Sequence, residues 1–236
     1  MQPPTLTIPA GGDALRTALA AAPADATMRL SPGVHVGPFV ISRSVTLTSR
    51  DPAQPAVLRG PGEGALLPID GRGVTVTLHD LELREGGDTN SGGLIRVANG
   101  ATLVIERCRL LLGQASGYGG GGLFLRRGQA TLRDCHLEGC TGRSGGALLV
   151  SNDAELLAEG CVFVGNAAPH AGAALAVRDH ARVTLRRCDL SAHKAPDSRE
   201  AGLGWLVDAH LANDAAAVRL EGCTLPEVRD GAVRLR

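Results

Sequence analysis

Five of the six cysteines, Cys108, Cys135, Cys161, Cys188 and Cys223, are separated by steps of 27, 26, 27 and 35 residues. A period held over so many residues commits a chain to stacked copies of one small unit, each burying its apolar face against the next. One period upstream of Cys108 the place is taken by Leu81. The segments around these positions (VTVTLHDLEL, TLVIERCRL, ATLRDCHL, ELLAEGCVF, VTLRRCDL and VRLEGCTL) share one pattern.

Counted from the Leu81/cysteine position, residues at −5, −3, 0 and +2 are apolar in every copy, as in Leu103, Ile105, Cys108 and Leu110 or in Leu156, Ala158, Cys161 and Phe163. A spacing of two marks strands with one face turned inward. Between −3 and 0 the parity slips by one residue, across pairs such as Glu106-Arg107 and Arg133-Asp134. The chain turns a corner there and keeps its apolar residues inward. A further strand precedes each such pair, with inward residues Ile95/Val97, Leu123/Leu125, Leu148/Val150 and Leu175/Val177. It ends in Asn99-Gly100, Arg127-Gly128, Asn152-Asp153 or Asp179-His180, residues suited to left-handed or tight turns. Three short strands and three corners per repeat make one rung of a parallel β-solenoid, and the 3.6-residue periodicity of a helical repeat is missing.

These residues resemble the pectin-lyase-like family of right-handed parallel β-helices. Ala26 to Arg50 is similar to that family's opening turns. Asp13 to Ala22 is similar to its N-terminal capping helix, with an acidic N-cap ahead of an Ala- and Leu-rich stretch. From Gly92 onward, GGLFL…CHLEGC, GGALLV…CVFVGN and AGAALAV also resemble the GGA and FxxN repeats of polymorphic outer-membrane proteins. The expected fold is all-β, a single-stranded right-handed parallel β-helix of about eight rungs with an N-terminal capping helix. One domain spans 1–236, with 1–25 as the cap and 26–236 as rungs. The final DGAVRLR reads as the first strand of another rung, which leaves the C-terminal end uncapped.

Many members of this fold cleave or remodel acidic polysaccharides. The resemblance therefore implies a carboxylate pair, or an Arg or Lys base near Ca²⁺-binding acids, on the outer face of the first strand. By the parity above that face carries Leu94 and Arg96, Gly122 and Phe124, Ala147 and Leu149, and Ala174 and Ala176, with no cluster of Asp or Glu. One Trp, one Tyr and three Phe offer few platforms for sugar stacking.

One polar column stands five residues ahead of the inward residue of each first strand: Asn90, Tyr118, Arg143 and His170. Successive loops would stack these about 4.8 Å apart. A ligand ladder would use His170 as acid or base, Arg143 to hold an anion and Tyr118 beside them, the only catalytic candidates in the chain. The plainer account is a set of solvated loop residues.

The column of Leu81, Cys108, Cys135, Cys161, Cys188 and Cys223 is expected to be a structural core ladder. Zinc needs ligands converging on one point, and these thiols are spread one per rung. A disulfide needs Cβ atoms about 3.5–4.5 Å apart, closer than parallel rungs bring them. Cys140, outside the column, is expected to be the most exposed thiol. His35, His79, His136, His180, His193 and His210 share no helical face or evident ligand partner and read as structural or solvated. The run Gly119 to Gly122 leads into a strand rather than a helix, so it is a corner and not a phosphate loop.

The charges balance, 24 Lys+Arg against 24 Asp+Glu, so no broad basic face is available for a nucleic acid. No apolar stretch approaches the roughly 18 residues of a membrane span, and the N-terminus lacks a secretory pattern, which sets the expectation of a cytoplasmic protein. The expected function is a non-catalytic interaction or scaffold module of a larger protein, without cofactor or metal. Its apolar column Arg96, Phe124, Leu149 and Ala176, or its open C-terminal end, would engage another protein or a second copy. The alternative is a carbohydrate-binding or polysaccharide-cleaving β-helix.

Overall fold

The computed structural model describes residues 3–88, 92–169, 171–192, 207–209, 218–226 and 233–235. Among these, one strand per rung joins each of three parallel sheets of nine, seven and seven strands. The nine-stranded sheet runs from Thr5–Ile8 through Thr102–Glu106 and Gln129–Arg133 to Val218–Glu221. The sheet of first strands includes Ile95–Ala98, Leu123–Arg126, Leu148–Ser151 and Leu175–Val177, and ends on Val207–Ala209 and Val233–Leu235. The third large sheet includes Glu82–Arg84, Arg109–Leu111, His136–Glu138 and Val162–Val164. The chain is a right-handed parallel β-helix.

Parity fixes the core. Leu103, Ile105, Leu110, Leu123, Leu125, Leu132, Leu148 and Phe163 all have no exposed surface, because each points into the solenoid interior and stacks beside the residue one period away. Ile95 pairs with Leu123, Leu123 with Leu148, and Leu148 with Leu175. Along the cysteine register Leu81, Cys108, Cys135, Cys161 and Cys188 are buried and Cys223 is half-buried; all six cysteines are free. The Leu81 N–H donates to Cys108 Sγ at 3.4 Å, so the thiol also serves as a backbone acceptor across one rung.

The corner where the parity slips is a single residue in the left-handed region: Asp80 (φ 56), Arg107 (φ 50), Asp134 (φ 50), Gly160 (φ 62) and Arg187 (φ 48). Such a conformation costs a non-glycine residue about 1–2 kcal/mol. A ladder of hydrogen bonds offsets it, the Arg107 N–H donating to the Arg133 carbonyl at 3.0 Å and the Asp134 N–H to that of Glu159 at 2.9 Å. Arg107 also grips Asp80 one rung back, with Nε 2.7 Å and Nη2 3.0 Å from its carboxylate oxygens. The turns at Asn99-Gly100, Asn152-Asp153 and Asp179-His180 hold positive φ at both residues.

Three expectations change. First, the middle rungs carry a fourth strand: Gly87–Asp88, Gln114–Ala115 and Thr141–Gly142 form a small parallel sheet of their own, giving those rungs four strands rather than three. Secondly, Cys140 is wholly buried rather than exposed. It lies between the end of the third strand at Glu138 and the extra strand Thr141–Gly142, its thiol aimed inward at the Leu110 and Glu138 carbonyls, 3.6 and 3.7 Å away. Thirdly, the helix Ala14–Ala21 forms as expected, but the Asp13 carboxylate makes no cap hydrogen bond and is drawn to the Arg16 guanidinium instead. Leu15 anchors that helix in the core.

Candidate functional site

The extra sheet places an exposed aromatic ring beside a guanidinium. Gln114 pairs with Thr141 and Ala115 with Gly142, and the Arg143 N–H donates to the Ala115 carbonyl at 3.2 Å. Arg143 therefore stands one rung along from the loop that carries Ser116 and Tyr118. Its Cζ lies 5.9 Å from the centroid of the Tyr118 ring, a cation–π distance. Tyr118 is 73% exposed, so the rest of the ring faces solvent.

Beside this pair is an open groove of about 440 Å³, lined by Gln114, Ser116, Thr141, Arg143 and Pro169 among others. Amide, hydroxyl and guanidinium donors thus line the groove, with the exposed Tyr118 ring next to it through Arg143, a set that hydrogen-bonds sugar hydroxyls and pairs with a carboxylate. Of the four residues expected to stack in the loop column, Tyr118 and Arg143 come together; Asn90 and His170 lie outside the described residues. Gln114, Ser116 and Thr141 join the site without having stood out in the sequence. The signal for two of them was present, since Gln114 and Thr141 stand one 27-residue period apart.

The expected apolar outer face is not a free surface. Leu149 is 3% exposed and Ala176 is buried, while Arg96 and Phe124 are half-buried. The cause lies in the glycine-rich loops ahead of each first strand, which return close against the sheet. A Cβ at Gly92 would stand 2.9 Å from the Phe124 Cβ, and one at Gly120 would stand 2.5 Å from the Leu149 backbone nitrogen. Only glycine allows so close a return. The same face continues into Asp208, which is wholly buried, pairs in register with Ala176 and accepts a hydrogen bond from Arg178 Nη2 at 2.7 Å. An interaction module working through Arg96, Phe124, Leu149 and Ala176 loses its surface.

The described histidines keep structural surroundings. His35 is buried, its Nε2 3.1 Å from the Ser31 carbonyl oxygen; His79 Nδ1 is 3.4 Å from a Glu106 carboxylate oxygen and His136 Nε2 is 2.9 Å from that of Glu138. His180 is exposed in a turn, and His193 and His210 lie outside the described residues. Among the described residues no group of three or more His, Cys, Asp or Glu is arranged to hold a metal ion.

No family model matches the chain, and no curated protein matches it. Among solved structures it is similar to the PL6 family alginate lyase AlyGC, with a TM-score of 0.50 at 12% identity over 95% of this chain and 41% of that one. A variant of the same lyase gives a TM-score of 0.53 at 12% identity over 94% of this chain and 39% of that one. An alginate lyase from Paenibacillus sp. str. FPU-7 gives 0.40 at 13% identity over 97% and 99%. The chain spans about two-fifths of the length of AlyGC. What the likeness to AlyGC shows is a shared β-helix fold.

Proposed function

We propose that this β-helix binds an acidic carbohydrate chain in the groove at Tyr118 and Arg143. The observation that carries the reading is the Arg143 guanidinium held 5.9 Å from the ring of an exposed tyrosine, at the edge of a groove furnished with hydroxyl and amide groups. One face of the ring keeps the guanidinium in place, and its solvent-facing part is free to stack on the apolar face of a pyranose. The guanidinium edge directed away from the ring offers paired N–H donors to a uronate carboxylate. Gln114, Ser116 and Thr141 supply donors and acceptors for ring hydroxyls.

The reading agrees with a fold shared with alginate lyases. The described lining contains no Asp or Glu, so a two-carboxylate hydrolysis has no machinery there. If the groove also cleaves, elimination is the chemistry that fits: Arg143 neutralises the carboxylate, a base takes the proton beside it, the bond to the glycosidic oxygen breaks and that oxygen leaves protonated, and the Tyr118 hydroxyl is the described proton-carrying group beside Arg143.

Calorimetric titration of the full chain with uronate oligosaccharides, against neutral oligosaccharides of equal length, tests the proposal. Saturable binding of the uronates is expected, weakened about tenfold or more by Arg143→Gln and by Tyr118→Ala. Equal binding of neutral chains, or indifference to both substitutions, overturns it. Ultraviolet absorbance of unsaturated products reports whether binding leads to elimination.

A further inference from the structure

We propose that a second site, independent of the first, lies on the outer face of the nine-stranded sheet and takes an oxyanion-bearing sugar. The strands Gln129–Arg133, Glu155–Glu159, Arg182–Arg186 and Val218–Glu221 run parallel in strict register. Their outward side chains therefore form three columns: Gln129, Glu155 and Arg182; Thr131, Leu157, Thr184 and Arg219; and Arg133, Glu159, Arg186 and Glu221. The middle column of Thr131, Leu157 and Thr184 reaches less far than the glutamine, glutamate and arginine side chains beside it, and over it lies a trough of about 470 Å³ bounded by Gln129, Glu155 and Arg182 on one side and by Arg186 on the other. Arg182 and Arg186, four apart along one strand, stand roughly 13 Å apart, wide enough for a pyranose ring.

At the C-terminal end of the trough the middle column changes from threonine to Arg219, between Arg182 and Arg186. Arg182 is 3.3 Å from Glu155 and Arg186 is 2.8 Å from Glu221, and the four side chains are between 44% and 68% exposed. Ion pairs so exposed hold their partners weakly and can be exchanged for a ligand's oxygens. Arg219 is exposed and has no carboxylate partner among the described residues. Among the described residues at this end, Arg182, Arg186 and Arg219 have only Glu155 and Glu221 as ion-pair partners, on a chain whose total charge is zero.

Arginine presents a planar fork of donors that matches a carboxylate or sulfate in two-point contact. Thr131 and Thr184 add hydroxyls along the floor, and half-buried Leu157 between them gives the apolar patch that the C–H face of a sugar covers. The shared chemistry is a sugar carrying one oxyanion, either a sulfate ester or a uronate carboxylate. The oxyanion sits at Arg219 and the ring lies over Leu157 and Thr184.

The test is a titration of the full chain, followed by NMR and calorimetry, with a sulfated disaccharide, an unsulfated uronate disaccharide and inorganic sulfate. Shifts of the Thr184 and Leu157 resonances are expected with at least one disaccharide, and which one responds identifies the oxyanion. Arg219→Gln is expected to weaken that binding about tenfold, with the melting temperature unchanged and binding at Arg143 and Tyr118 retained. No saturable shift in the trough, no effect of Arg219→Gln, or inorganic sulfate binding as tightly as either sugar overturns the proposal. Loss of uronate binding on Arg143→Gln reports on the other groove, so the two readings fail separately.

Discussion

The Asn166 side-chain oxygen accepts the backbone N–H of Cys140 at 2.9 Å, one rung away, and the Asn166 amide donates to the Leu137 carbonyl at 2.9 Å. One buried side chain thereby satisfies a donor and an acceptor at the point where the third strand ends and the extra strand begins. Asn166 closes the FxxN segment, so that motif has a physical role here as a staple between rungs.

Asn166→Ala is expected to leave that N–H and carbonyl buried without the partner they have now, at a cost of about 2–3 kcal/mol. Urea unfolding followed by circular dichroism measures it. A change below about 0.5 kcal/mol would mean the staple is dispensable.

Burial pushes the Cys108 and Cys140 thiols up to about 12; hydrogen bonding with Cys135 and burial raise Cys161 to about 12 as well, against the hydrogen bond with Cys188, which lowers it. In the unfolded chain a thiol titrates near 9. A group with a raised folded-state value favours the folded state in full below pH 9, and that contribution is lost as pH rises towards 12. Urea midpoints are therefore expected to fall steeply from pH 9 to pH 11, and Cys140→Ala to shallow the slope. A flat profile would contradict the inward placement of these thiols.

Leu149→Glu is expected to destabilise by about 3 kcal/mol or more, because it forces a charge into a position 3% exposed. Phe124→Glu, at a half-buried site on the same column, should cost distinctly less. Thermal melts of the two variants compare them, and equal costs would put Leu149 at the surface.

Asp80→Asn keeps a residue that tolerates the left-handed corner and removes only the ion pair with Arg107. The Asp80 hydrogen bond and charge raise the Arg107 pKa, yet Arg107 is largely exposed, and the expected cost is about 0.2–1 kcal/mol. The difference from the parent protein should vanish in high salt. A salt-independent loss of several kcal/mol would show that Asp80 holds the corner itself.

The sequence by itself determined the rung. Alternation of apolar residues is set within five or six positions, because successive side chains on a strand point to opposite faces. The 27-residue recurrence of Leu103, Ala130 and their partners was enough to stack those strands in register. The corner at Arg107 and Asp134 was legible for the same reason: an odd step in an even pattern forces one residue out of extended conformation.

Tertiary structure decided what covers the rung's outside. Parity gives a side chain's direction and says nothing of which loop returns over it, so Leu149 and Ala176 pointed outward and are nonetheless buried. Gln114–Ala115 and Thr141–Gly142 are two-residue strands too short to show the inward–outward alternation of a strand, and their pairing exists only because neighbouring rungs hold them side by side. That pairing turned Cys140 inward and set Arg143 against Tyr118. The groove and the trough are both built across rungs, from residues a full period apart in the chain, and their form depends on how far each loop and each long side chain reaches once the solenoid has closed.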